Sequence, residues 1–143
     1  MKILRNASLV FSAGAAGAVA NSFFLWQAGE RGIADLFGVA IHPALSLSWL
    51  YPRIVWGGLL GLLLLIPVGR WSALLRGIFW SLVPSAASLL YFLPYQQGKG
   101  FLGQDLGTLT PLYVIAANAI WGAAAGLWMR FAGSSGVKAP SEG

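Results

Sequence analysis

Arg53 carries the clearest chemical implication in this chain of 143 residues. It follows Pro52 at the start of a long apolar run. A helix beginning there presents the positive end of its dipole, where a cation is disfavoured. Something must compensate the charge, and the acidic candidates are Glu30, Asp35 and Asp105. Ionisable side chains in membrane segments commonly mark ligand or ion pathways. Arg53 is therefore read either as an anion or substrate site or as a structural tie between an outer loop and the helices. Asp35 and Asp105 raise the converse question. A pair of carboxylates can bind a cation or relay protons. Each can also cap a short helix or sit solvated in a loop, and that plainer reading is preferred. Asn21 and Asn118 lie inside apolar runs. A side-chain amide in hydrocarbon needs a partner, so both are expected to face the interior, as an interhelical hydrogen bond or as part of a polar pathway. His42, just before Pro43, can titrate near neutral pH, although a lone interfacial histidine is more simply an amphipathic anchor.

Enzyme chemistry finds little footing. There is no HExxH motif and no Ser/His/Asp constellation, so no catalytic residue is assigned and the chain is not read as an enzyme. It has no cysteine and a single histidine. Disulfides, thiol redox chemistry and Cys-ligated metal are thereby removed. No cofactor or metal is expected. The lack of cysteine also excludes four-helix quinone-linked thiol oxidoreductases, and the lack of a glutamate in the first apolar run excludes small four-helix multidrug transporters. The net charge is +5 and the sequence pI about 10.1. The basic residues flank apolar segments, as the positive-inside rule requires, so a lipid bilayer rather than nucleic acid is the expected partner.

Only membrane helices suit this composition. Hydrophobic residues make up 57% of the chain and charged residues 9%, with a mean hydropathy of +0.72. A soluble domain carries about 25% charged residues, enough to cover its surface. The expected fold is an all-α integral membrane protein with four transmembrane helices. The spans are placed at about Ala7–Gly29, Tyr51–Val68, Trp71–Leu93 and Leu109–Ala132. Pro52 suits a first helical turn, and Pro84 predicts a kink in the third span. Residues Ile33–Ile41, ended by Pro43, read as a short interfacial or re-entrant helix in the first outer loop, too short to span. Residues 1–132 form one domain, and the Gly/Ser-rich tail 133–143 is expected to be disordered. The start of the chain admits a second reading, as a signal peptide with Lys2, Arg5 and an Ala18-x-Ala20 cleavage pattern. Against cleavage, the apolar run continues to Trp26 and reaches the ~20 residues a span needs.

Orientation follows from charge. Lys2, Arg5, Arg70, Arg76, Arg130 and Lys138 share one side of a four-span chain. Both termini are therefore expected to be cytoplasmic, in a bacterial inner membrane. Arg76 can snorkel to that face.

The two halves, about 7–69 and 71–132, resemble one another. Trp56-Gly57-x-x-x-Gly61-Leu62 matches Trp121-Gly122-x-x-x-Gly126-Leu127. In the same order, Phe24-Leu25 matches Phe92-Leu93, Gln27-x-Gly29 matches Gln96-x-Gly98, Asp35-Leu36 matches Asp105-Leu106, Gly38 matches Gly107 and Pro43 matches Pro111. The expected architecture is two tandem helical hairpins of the same orientation, related by an axis along the membrane normal. Gly57, Gly61, Gly122 and Gly126 form small-xxx-small motifs for close helix packing, within one chain or at a dimer interface. Two functions fit: a transporter or channel-type protein for a small solute, acting as a homo-oligomer, or a non-catalytic accessory subunit of a larger membrane complex held through its glycine faces.

Overall fold

The computed structural model describes residues 2–66 and 68–136. These are almost entirely helical, with no strand among them. Four helices are long and apolar enough to cross a membrane: Ile3–Glu30, Leu47–Leu65, Ala73–Gln96 and Thr110–Ala132. The first is helix α1, Lys2–Glu30, unbroken through the Ala18-Val19-Ala20 stretch. A one-turn helix α2, Ile33–Leu36, follows in the first connection. The second span is α3, Leu47–Leu60, tightening into a 3-10 segment over Gly61–Leu65. Two short helices open the third span, α4 at Ala73–Trp80 and α5 at Leu82–Ala87, and a π-helical segment over Ser88–Gln96 completes it. After a 3-10 element at Phe101–Leu106, α6 runs from Thr110 to Gly136. That carries the last helix past its expected end at Ala132. The rest of the expected disordered tail lies outside the described residues.

Local chemistry explains where these helices begin and bend. The second span starts earlier than Tyr51 because Ser46 caps it, its Oγ accepting from Trp49 N at 3.3 Å. Pro52 then falls inside α3 rather than in its first turn. Ser72 caps the third span in the same way, accepting from Leu75 N. The regular helix of that span is interrupted at Ser81, three residues before Pro84. Ser81 N is shared between the Gly77 and Ile78 carbonyls, and Ser81 Oγ donates to Ile78 O at 2.6 Å. A serine bonded back onto the helix and a proline three residues on that withholds an N–H together loosen the ladder.

The spans lie side by side in the order α3, α1, α6, α4, with α1 packed between α3 and α6. The second and third spans meet chiefly at one end, through the 3-10 segment and α4, where Trp80 Nε1 donates to Ile66 O at 3.2 Å. That end carries Arg5, Arg70, Arg76 and Arg130 and is called the basic end; the other holds both longer connections and is called the loop end. Each end has its own apolar cluster. Val10, Ala13, Leu64 and Ala125 fill the basic end, while Ala28, Ala34, Val39 and Tyr113 fill the loop end. Between them along α1 sits a polar layer containing Asn21 and Ser22, both buried.

Candidate functional site

The polar layer contains Arg53. Its Nε donates to Ser22 Oγ at 2.8 Å, and one terminal nitrogen donates to Asn21 Oδ1. The guanidinium also lies over the Trp49 ring, 4.8 Å from its centroid. Asn21 passes the connection on, with Nδ2 donating to Ala117 O at 2.6 Å and, more weakly, to Asn118 Oδ1 at 3.4 Å. Asn118 Nδ2 in turn donates to Ser85 Oγ at 3.2 Å. One chain of hydrogen bonds thus crosses all four spans, from α3 through α1 and α6 to α5. Its direction is set by Arg53, which can only donate and so obliges Asn21 to turn its carbonyl oxygen towards it.

Among the described residues, Arg53 has no carboxylate partner. Asp35 instead meets His42 Nε2 at 2.8 Å in the first connection, the single ion-pair contact among the described residues. Asp105 sits in the second connection, exposed, with its carboxylate against Gly100. Thus Arg53, Asn21 and Asn118 come together, whereas Asp35 and Asp105 remain in the loops. Among the described residues, neutral dipoles and an aromatic face are what stands against this charge. An arginine can be held that way because its charge is delocalised and weakly hydrated. The guanidinium lies in a half-buried place.

Sequence reasoning did not single out Ser22, Ser85 or Trp49. Serine inside a membrane helix gives little signal, since its hydroxyl can satisfy itself on the preceding turn. A usable signal did exist in the repeat. Arg53 precedes Gly57 by one helical turn, just as Asn118 precedes Gly122. In each half, this residue of the second helix donates to a serine of the first, Ser22 or Ser85.

The glycines fix these helix pairs. A Cβ on Gly14 would collide with the Gly57 carbonyl oxygen and stand 2.9 Å from Gly61 Cα. In the other half Gly77 and Gly122 meet carbonyl to Cα, and a Cβ on Gly126 would lie 2.5 Å from Ala73 O. All four motif glycines, Gly57, Gly61, Gly122 and Gly126, thus make close contacts within the chain. The seam between the halves adds a large aromatic side chain to a glycine contact, where a Cβ on Gly17 would collide with the Trp121 carbonyl oxygen. There Trp121, 3% exposed, lies across Gly17 and donates to Gly14 O at 3.0 Å. Its repeat counterpart Trp56 is 59% exposed.

The two connections meet over the loop end. Ala40 N donates to Leu106 O at 2.8 Å, and the backbones of Gly38 and Gly107 touch. These glycines are matched positions of the repeat. Gly107, with φ 145°, has no room for a side chain because its Cβ would strike Gly38 O. No group of three His, Cys, Asp or Glu side chains is placed to hold a metal among the described residues.

Comparison of the chain with protein families, with curated proteins and with solved structures gives no match.

Proposed function

We propose that this protein is a small multipass transporter for an anionic solute, with Arg53 as the charge that recognises it. The observation that carries the reading is an arginine held within the span region by Asn21, Ser22 and Trp49 and, among the described residues, by no carboxylate. Bilayer-embedded charges that lack an internal counter-ion belong with substrate pathways more readily than with packing. The arrangement of helices supports a moving part. Glycine contacts join α1 to α3 and the third span to α6, and on this reading these are two hairpins of the same orientation. The seam between them carries the polar Asn21–Asn118 contact, and on this reading one hairpin rocks on the other there, as repeats do in alternating access. The second and third spans separate away from the basic end, which gives a solute a route towards Arg53. On this reading α2 lies at the membrane surface, and the basic end, with both termini, faces the cytoplasm across a bacterial inner membrane.

Liposomes loaded with a panel of small anions and cations test the proposal. Anion flux is expected with wild-type protein and about a tenfold or greater loss with Arg53→Gln, since a charge-assisted contact contributes about 1.5–3 kcal/mol. Flux confined to cations, or anion flux unaltered by Arg53→Gln in a folded protein, removes the proposal.

The accessory-subunit reading draws on one observation, the exposed Trp56. With the motif glycines in contact within the chain, it is this face of α3 that a large partner would cover. Purification in mild detergent distinguishes the two: a stoichiometric large partner lost on Trp56→Ala favours the subunit.

A further inference from the structure

The basic end contains a second site, separate from Arg53. A cavity of about 260 Å³ opens there between the spans. Its walls come from all four: Asn6, Leu9 and Val10 of α1, Leu64 and Leu65 of the second span, Arg76 of α4 and Met129 of α6. Arg76 was expected to reach out to the membrane surface. It is half-buried along this wall, and its Nε is buried without a hydrogen-bond partner among the described residues. Two other buried side-chain atoms lack partners, Thr110 Oγ1 and Tyr113 OH, but Arg76 is the charged one.

Among the described residues, no acidic residue lies at this end. Glu30, Asp35 and Asp105 all lie at the loop end, and the remaining acidic residue, Glu142, falls outside the described residues. Arg5, Arg70 and Arg130 add positive charge at the same end. A guanidinium in low dielectric gains much from an anion, and phosphate oxygens fit its planar fork. The remaining walls say what else the occupant must be. Leu9, Val10, Leu64, Leu65 and Met129 are apolar, so a freely hydrated ion would be poorly housed beside them. An amphiphile with a phosphate at one end and hydrocarbon at the other satisfies both halves of the lining. The volume suits a headgroup and glycerol region, with the acyl chains left outside among the spans. Basic pockets between membrane helices on the cytoplasmic side hold anionic headgroups in this manner.

We infer that the cavity at the basic end binds the phosphate headgroup of an anionic phospholipid, with Arg76 as its counter-charge and Asn6 as a second polar contact. The bound lipid would join all four spans at the end where the second and third meet, and so brace the closed end of the bundle.

The test uses delipidated full-length protein in detergent. Thermal unfolding is followed with phosphatidylglycerol, phosphatidylcholine or inorganic phosphate added, and retained lipid is identified by native mass spectrometry. Phosphatidylglycerol is expected to raise the midpoint and to be retained, phosphatidylcholine and inorganic phosphate to do neither. Arg76→Gln is expected to weaken phosphatidylglycerol binding about tenfold, whereas Arg130→Gln, which removes an exposed charge from the same end, leaves it unchanged. Should Arg76→Gln fail to fold, the lipid comparison on wild-type protein still decides. Equal stabilisation by phosphatidylcholine overturns the inference, as does protection by inorganic phosphate alone, which would make the occupant a soluble anion. Equal losses in Arg76→Gln and Arg130→Gln would reduce it to diffuse surface charge and overturn it too.

Discussion

At the scale of single residues, the chain of hydrogen bonds through Arg53 decides what each substitution does. Arg53→Ala leaves Asn21 Oδ1 and Ser22 Oγ without their donor while also deleting a charge that was difficult to bury. These effects oppose one another. Polar contacts between membrane helices contribute about 0.6 kcal/mol on average and at most about 1.7. The expected outcome is a destabilisation of about 1 kcal/mol, read as a lower unfolding midpoint in detergent. Arg53→Lys keeps the charge but has one nitrogen where two are used, so it should lose one of the two contacts and fall between wild type and alanine. A double-mutant cycle between Arg53 and Asn21 gives the sharper measurement. Coupling near zero would mean that the contact contributes nothing, and the account of the polar layer would fail with it. Asn118 and Ser85 close the far end of the chain at 3.2 Å, so Asn118→Ala should also cost about 1 kcal/mol, and the corresponding cycle with Ser85 should show coupling of the same sign.

At the scale of elements, helix pairing depends on backbone contact at glycine. Gly14→Ala places a methyl group against the Gly57 carbonyl, and neither backbone can yield without parting α1 from α3. Overpacking of this kind costs about 1–3 kcal/mol. Gly58→Ala is the informative contrast. Its new methyl would come 2.6 Å from the Phe11 ring, but that ring is part exposed and can swing aside. Gly58→Ala should therefore be tolerated in the same unfolding assay that Gly14→Ala fails, and equal losses would show that crowding, not backbone approach, is what matters. This contrast also marks what the sequence made legible. Long apolar runs reveal the spans because hydropathy is local. Gly57, Gly61, Gly122 and Gly126 announce close packing because the small-xxx-small spacing is local too. The partners are not: nothing near Gly57 in sequence points to Gly14, and nothing near Arg53 points to Ser22. Helix starts were misjudged for a related reason. Pro52 favours a first turn, but Ser46 caps the helix further upstream and absorbs the proline into it. The π-helical Ser88–Gln96 segment was equally invisible, since its apolar sequence suits an ordinary helix as well.

At the scale of the whole molecule, the question is whether the two halves move as bodies. The halves meet along α1 and α6, where Asn21 reaches Asn118 and Trp121 crosses Gly17, at the basic end, where Trp80 donates to Ile66 O, and through the Ala40–Leu106 hydrogen bond between the connections. The last of these brings matched positions of the repeat together, Gly38 against Gly107, over the loop end. If solute passes by one hairpin rocking on the other, this contact must open and close, because it bridges the moving bodies at the end where the second and third spans part. The chain has no native cysteine, so an engineered pair is unambiguous. With Ala40→Cys and Leu106→Cys combined, oxidation should form an intramolecular bridge, since the backbone contact at 2.8 Å holds the two positions together. The bridged protein should lose anion flux in liposomes, and reduction should restore it. Each single cysteine variant should transport under both conditions, which separates locking from damage to the loop. Complete bridging, verified by mobility on a gel, with flux undiminished would show that the halves need not part there. Transport would then have to run through a bundle fixed at its loop end, and the rocking of the hairpins would be excluded while Arg53 remained open to its own test.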